Sequence, residues 1–147
     1  MILTYGPASP EDVDVLYPMV AELICRYEDF STLNREKVLA WTRKSMQKNL
    51  PFCSRVYREG RLAGFFFLEK TDGKTELDNL FLLPEFRGQG IGTAILKKCI
   101  AEAENPLFLY VFRENTGAVR LYERLGFRIT QEVSTTRYIM EYTKEGC

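Results

Sequence analysis

A glycine-rich turn between an extended segment and a helical one constrains this chain more than any other feature. The turn reads Arg-Gly-Gln-Gly-Ile-Gly over Arg87–Gly92, after a strand-like pattern over Lys74–Leu83. A helical pattern then runs from Gly90 to about Glu104, and the apolar run Leu107–Phe112 follows as a predicted buried strand. A helix between two such strands makes a βαβ crossover, which predicts that the two strands are parallel.

Helical and extended patterns alternate through the rest of the chain. Ser9-Pro10-Glu11-Asp12 predicts a helix start, and Pro18 then either kinks that helix or delays its true beginning. Asp72-Gly73 predicts a tight hairpin turn. Further elements are predicted at Ile2–Tyr5, Asn34–Gln47, Phe52–Arg58, Leu62–Glu69, Asn115–Leu125, Phe127–Val133 and Arg137–Tyr142. We therefore predict a single α/β domain over residues 1–147, with a mixed, mostly antiparallel sheet and helices on both faces.

The composition argues against several classes of function. The chain carries 20 Lys and Arg against 20 Asp and Glu, so it lacks the overall basic excess that is typical of nucleic-acid binders. No apolar run approaches the ~18 residues that a membrane span needs, and the N-terminus has no signal-peptide pattern. Histidine is absent, which removes Ser-His and Cys-His nucleophiles together with histidine-based metal sites, so we expect no metal.

The four cysteines are widely scattered. Cys25, Cys53, Cys99 and Cys147 form no CxxC pair and no disulfide framework, which predicts reduced thiols in a cytoplasmic protein. A role for Cys53 or Cys99 as an acyl-accepting nucleophile is a minor alternative, because buried cysteine is usually structural.

The glycines of the turn predict a phosphate site. Gly88, Gly90 and Gly92 allow a close backbone approach, the first turn of the following helix offers unpaired N–H donors, and Arg87 adds a charged contact. A plain glycine-rich loop is the alternative. A P-loop and a Rossmann turn both fit poorly, because no lysine follows Gly92 and Thr93 stands where the third Rossmann glycine belongs.

Two segments together resemble a known family. Arg87–Gly92, preceded by Leu83-Pro84-Glu85-Phe86, resembles the acyl-CoA pyrophosphate loop of the GNAT superfamily of N-acetyltransferases. Asn115–Phe127 is similar to the family's segment Asn-x-x-Ala-x-x-Leu-Tyr-x-x-x-Gly-Phe. The order of elements also fits the family's fold, although residues before about Glu76 match by element order alone.

The resemblance implies that acetyl-CoA binds in a core spanning about residues 74–133. It implies that the backbone of the strand end pairs with the pantetheine arm, and that the glycine-rich turn holds the pyrophosphate. Asn115 either contacts the CoA arm or simply caps its helix. The implied CoA-binding residues are Leu80, Phe81, Leu82, Arg87, Gly88, Gln89, Gly90, Ile91, Gly92, Thr93, Asn115, Ala118 and Tyr122.

Three residues are candidates for the chemistry that the resemblance implies. An alkylammonium has a pKa near ~10.4, so a base must remove its proton before the amine attacks the thioester. Glu76 is the first candidate base and Asp78 the second, with a solvent-exposed acid or a water chain as the alternatives. Tyr122 is the candidate general acid for the thiolate, although its apolar helix face also suits a core aromatic.

We therefore expect an acetyl-CoA-dependent N-acetyltransferase that transfers the acetyl group directly to a primary amine in a ternary complex. A CoA-binding sensor without transfer activity is the main alternative, and an NAD-binding Rossmann protein is a weaker one. The acidic, aromatic stretch Tyr27–Phe30 would suit a cationic acceptor, but a solvated helix end explains it equally simply. The sequence names no acceptor, leaves a homodimer open, and gives no sign of a nucleic-acid or membrane partner.

Overall fold

A computed structural model describes residues 1–144 of the chain. The helices are α1 (Val13–Tyr27), α2 (Arg35–Lys48), α3 (Ile91–Glu102) and α4 (Thr116–Arg124). The strands are β1 (Leu3–Pro7), β2 (Cys53–Arg58), β3 (Arg61–Thr71), β4 (Lys74–Leu82), β5 (Leu107–Phe112), β6 (Arg128–Glu132) and β7 (Arg137–Tyr142). Within this part of the chain, none of the helices is long and apolar enough to span a membrane.

The strands are hydrogen-bonded in the order β1-β2-β3-β4-β5-β7-β6. Strands β4 and β5 are parallel, with Thr75 opposite Leu107 and Glu76 opposite Phe108. The pairs β1–β2, β2–β3, β5–β7 and β6–β7 are antiparallel. The predicted mixed, mostly antiparallel sheet with one parallel crossover is therefore confirmed.

The structure decides between the two predictions for Pro18, that it kinks the first helix or that it delays the start of that helix. A short 3-10 turn at Pro10–Asp12 leads directly into α1, which begins at Val13. Pro18 therefore lies inside the helix, and the expectation that it delays the helix start is wrong. Proline lacks the N–H that would bond to the carbonyl of Asp14, so α1 tolerates the loss of one hydrogen bond there.

The chain divides into two compact units. The first comprises residues 1–67 and 79–86, and its fully buried side chains include Leu16, Val56 and Phe65. The second comprises, among the described residues, 68–78 and 87–144, and its buried centre includes Leu107 and Met140. The prediction of one domain over the whole chain stays a prediction.

A buried ion pair organises the first unit. Asp12 is only 3% exposed. Arg55 donates two hydrogen bonds to its carboxylate, from Nε at 2.7 Å and from Nη2 at 3.0 Å. The Ser9 N–H donates to the same carboxylate at 2.9 Å, and Arg55 Nη2 also donates to the Ser9 hydroxyl at 2.7 Å. These bonds attach the turn before α1 to β2.

A close backbone approach joins β3 to the end of β4 in the same unit. A Cβ at Gly64 would overlap the carbonyl oxygen of Phe81 and would lie 2.9 Å from the Leu82 side chain. The Leu83 N–H also donates to the Ala63 carbonyl at 2.8 Å. Position 64 therefore requires glycine because of space and not because of its backbone angles.

Candidate active site

The glycine-rich turn has the backbone conformation that the sequence predicts. Gly88 and Gly90 have φ angles of 74° and 80°, which disfavour any residue with a Cβ. Gly90 is the N-cap of α3 and supplies no side-chain cap. The first i→i−4 bond of the helix runs from the Ala94 N–H to the Gly90 carbonyl, at 3.1 Å. The N–H groups before Ala94 lie in the first helical turn, the usual place for anion binding.

The candidate base Glu76 lies on β4 in the second unit. Burial, followed by the negative charges of Asp78 and then Glu69, raises the pKa of Glu76 to about 7. A carboxyl group with a pKa near 7 is half ionised at neutral pH, which suits a group that accepts and releases protons. Asp78 itself is exposed and shares the Glu76 face of the strand, because side chains alternate along β4.

The candidate acid Tyr122 lies on α4, also in the second unit. Its ring packs against Phe127, with the ring centroids 5.7 Å apart. Burial, followed by the negative charge of Asp78, raises the pKa of Tyr122 to about 12. The hydroxyl is therefore protonated at neutral pH and can donate. The negative charge of Asp78 thus raises the pKa of both candidates.

Asn115 acts as a helix cap. Its side-chain oxygen accepts a hydrogen bond from the Ala118 N–H at 3.4 Å, and its own N–H donates to the Phe112 carbonyl at 3.1 Å. One of the two predicted roles of Asn115 is thus confirmed. A CoA contact of Asn115 or Ala118 stays a prediction.

The strand end predicted to meet the pantetheine arm belongs to the first unit. Leu80, Phe81 and Leu82 are the last residues of β4 and are each partly exposed. Asn79, just before them, has a φ of 47°, which is uncommon for a residue with a side chain and breaks the regular pleat. A backbone ligand contact at this strand end stays a prediction.

The acidic, aromatic stretch after α1 is explained by local turn structure. The Ser31 N–H donates to the Asp29 carboxylate at 2.9 Å, and the Arg35 guanidinium lies 5.0 Å from the centre of the Phe30 ring. Glu28 is the C-cap of α1. The simpler interpretation of Tyr27–Phe30, a solvated helix end, accounts for these contacts.

The buried thiols of Cys53 and Cys99 are poor nucleophiles in this fold. Cys25, Cys53 and Cys99 are free thiols, while Cys147 lies outside the described residues. Burial raises the pKa of Cys53 to about 12 and that of Cys99 to about 11, which suppresses the reactive thiolate. Among residues 1–144, no group of His, Cys, Asp and Glu side chains could hold a metal ion.

Glu69 is a further residue near the candidate base and belongs to no sequence motif. This residue lies on β3 and contributes to the raised pKa of Glu76. The signal was present, because the predicted turn at Asp72-Gly73 fixes which residues of β3 and β4 oppose one another.

Comparison with known proteins decides the family. Residues 17–127 match the model of the Acetyltransferase (GNAT) family. The chain belongs to the GNAT family. The matched span of this GNAT chain includes the glycine-rich turn, Glu76, Asp78 and Tyr122.

Individual relatives cover only part of the GNAT chain. It is 30% identical over 91 residues to the spermine/spermidine N(1)-acetyltransferase of Bacillus subtilis, covering 53% of this chain and 60% of that protein. It is 39% identical over 83 residues to the mycothiol acetyltransferase of Streptomyces griseus. This match covers 52% of this chain and 26% of that protein. An uncharacterised N-acetyltransferase of Methanocaldococcus jannaschii is 45% identical over 56 residues, covering 35% and 25%. The matched regions thus span between a quarter and 60% of these relatives.

Solved structures share the fold over nearly the whole chain. The PaiA N-acetyltransferase of Thermoplasma acidophilum, in complex with coenzyme A, superposes with a TM-score of 0.69 at 20% identity, covering 97% of this chain and 99% of that one. The ribosomal-protein-S18-alanine N-acetyltransferase of Escherichia coli gives a TM-score of 0.65 at 22% identity, covering 99% of each chain. These likenesses establish the GNAT fold.

Proposed function

We propose that this GNAT protein is an N-acetyltransferase that moves an acetyl group directly from acetyl-CoA to a primary amine in a ternary complex. The observation that carries the proposal is the pairing of two titratable groups with different pKa values around Asp78. Glu76 has a pKa of about 7 and can accept a proton at neutral pH. Tyr122 has a pKa of about 12 and keeps its proton for donation. Burial is the main cause of both shifts, so at neutral pH Glu76 can exchange a proton while Tyr122 stays protonated.

The proposed reaction needs one proton acceptor and one proton donor. Glu76 takes a proton from the substrate ammonium, either directly or through a water, and the freed nitrogen lone pair attacks the thioester carbon. The carbon–sulfur bond then breaks, and Tyr122 gives its proton to the departing thiolate. The nitrogen loses its second proton as the amide forms, and that proton returns to the Tyr122 oxygen, directly or through water. The buried, high-pKa thiols of Cys53 and Cys99 support this direct transfer over a route through an acyl-cysteine.

In this proposal, most contacts to acetyl-CoA are made by backbone groups of the protein. The N–H groups of Ile91, Gly92 and Thr93 at the start of α3 hold the pyrophosphate, together with Gly88 and Gly90. Arg87 and Gln89 contribute side-chain contacts to the same group. The backbone of Leu80–Leu82 pairs with the pantetheine amides in the manner of an added strand.

The acceptor is proposed as a primary amine. A curated relative is named for spermine and spermidine, so polyamines belong in a first panel of acceptors. We place the reaction in the cytoplasm, where acetyl-CoA and reduced thiols occur together.

The experiment compares wild-type protein with Tyr122→Phe and Tyr110→Phe, assaying free CoA release over an amine panel. Tyr110 is the matched control because it is an exposed tyrosine on the neighbouring strand β5. We expect Tyr122→Phe to lower kcat by about 10²-fold or more while the affinity for acetyl-CoA stays within about threefold. Tyr110→Phe should retain turnover.

A sensor would give a different pattern. If acetyl-CoA binds but no amine releases CoA above the hydrolysis background, transfer activity is refuted and a CoA-binding regulator is supported. If Tyr122→Phe turns over at the wild-type rate, the assignment of Tyr122 as the acid is wrong.

A further inference from the structure

The β3–β4 hairpin brings Glu69 directly opposite the candidate base. The strands end at Thr71 and begin again at Lys74, with the two-residue turn Asp72-Gly73 between them. The Thr71 hydroxyl donates to the Lys74 carbonyl at 3.3 Å across this turn. Counting back from the turn sets Glu69 opposite Glu76. Opposed residues of an antiparallel pair have Cβ atoms about 4.5–5.5 Å apart, on the same face.

The other face of the hairpin is occupied by a different set of contacts. Lys70 ion-pairs with Glu104 at 4.0 Å, and Thr75, opposite Lys70, donates to the Asn105 side chain at 2.6 Å. Side chains alternate along strands, so Glu69 and Glu76 must point away from this loop. The two carboxyl groups therefore face each other on the face that does not contact residues 104 and 105.

Within the described part of the second unit, the other groups named around Glu76 do not neutralise this pair. Asp78 shares the face on β4 and adds a negative charge. Lys74 also shares the face, but its ammonium is bound to the Glu141 carboxylate of β7 at 2.9 Å. Strand β5 contributes Phe108, an apolar side chain, directly opposite Glu76.

We propose that Glu69 is a positioning residue for acetyl transfer, which acts through Glu76 by holding a second carboxyl group opposite the base. This inference rests on the proposed function, because it assigns a role within the same reaction. A negative charge opposite a carboxyl group disfavours the ionised form of that group, so Glu76 retains a proton more strongly. Glu69 thereby makes Glu76 a better proton acceptor for the substrate ammonium.

The reaction must also return Tyr122 and Glu76 to their starting protonation states. Acetylation of an alkylammonium by acetyl-CoA yields an amide, the free thiol and one proton. Tyr122 protonates the thiolate and must later recover a proton, while Glu76 must lose the one it took from the ammonium. Glu76 is itself partly exposed, so it can release this proton to water.

The test is the pH dependence of kcat at saturating acetyl-CoA and amine, measured for wild type, Glu69→Gln, Glu69→Lys and Glu104→Gln. The charge of Glu69 is the smallest of the three causes that raise the pKa of Glu76. We therefore expect Glu69→Gln to shift the acidic limb of the kcat–pH profile to lower pH by less than about one pH unit. Glu69→Lys should move it further, because a cation replaces the carboxylate. Glu104→Gln removes the charge that pairs with Lys70 on the other face of the hairpin. It should leave the acidic limb of the pH profile unchanged.

The outcomes separate this inference from the proposed function. If Glu76→Gln abolishes turnover but both Glu69 variants keep the wild-type limb, the role of Glu69 is refuted and the acetyltransferase assignment stands. A limb that moves equally in Glu104→Gln would also refute it, because the effect would then be general surface charge. Loss of all acceptor turnover in the wild type would refute the proposed function itself. Thermal unfolding of each variant confirms that it is folded, and an unchanged KM for acetyl-CoA confirms an intact cofactor site.

Discussion

The ionisation of Glu76 gives the sharpest quantitative prediction about the chemistry. With a pKa of about 7, the carboxyl group is half ionised at pH 7 and about one-eleventh ionised at pH 6. If Glu76 is the base, kcat at saturating substrates should fall about fivefold between those two pH values. An unperturbed glutamate, with a pKa near 4.3, would stay ionised over the same range and leave kcat nearly constant.

Stopped assays of CoA release at half-unit pH steps, with a Glu76→Gln variant alongside, would measure this dependence. We expect Glu76→Gln to lose about 10²–10⁴-fold in kcat and to lose the acidic limb. Asp78→Asn serves as the comparison, because it removes the second candidate while leaving Glu76 in place. A flat profile between pH 6 and 8 would contradict the assignment of Glu76. Near-normal turnover in Glu76→Gln would contradict it equally.

Three further predictions concern stability and the phosphate turn. Gly64→Ala should destabilise the fold by about 1–3 kcal/mol in denaturant titrations, because its Cβ meets the carbonyl of Phe81. Asp12→Asn should cost about 3 kcal/mol at pH 7, because it leaves the Arg55 charge half-buried without its carboxylate partner. Gly90→Ala and Gly60→Ala should cost similar stability, since both glycines have φ near 80°, but calorimetry should show about tenfold weaker acetyl-CoA binding only in Gly90→Ala.

The raised pKa of Glu76 also has a consequence for stability. The folded protein disfavours the ionised carboxylate, so this group destabilises the fold as pH rises from about 4.5 through 7. Glu76→Gln should therefore raise the melting temperature at pH 8 and leave it nearly unchanged at pH 4. A melting temperature that falls at pH 8 would show that Glu76 is stabilised as a carboxylate.

Much of the fold follows from local sequence signals. The Gly88 and Gly90 positions, the Asn115 cap and the stop at Asn105-Pro106 mark element boundaries chemically, and the observed boundaries agree within a few residues. The strand–helix–strand order then fixes the parallel pair β4–β5. The start of α1 was ambiguous because Pro18 is compatible with the first turn of a helix and, at the cost of a hydrogen bond, with its interior.

The candidate site could be proposed from sequence in part because the glycine-rich turn and Tyr122 lie in short motifs. Glu76, Asp78 and Tyr122 were named from sequence, but their pKa values depend on burial and on neighbours distant along the chain. Glu69 carries no motif and becomes visible only when β3 is paired with β4. The acceptor specificity stays open because no segment of the chain carries a motif for it.

Mass spectrometry of the amine product tests the central claim most directly. Wild-type protein is incubated with acetyl-CoA labelled in the acetyl group and with a panel that includes spermidine, and the amines are analysed for transferred label. We predict an amine carrying one labelled acetyl group, formed in step with free CoA and strongly reduced in Tyr122→Phe. Bound acetyl-CoA with no labelled amine from any acceptor would contradict the account.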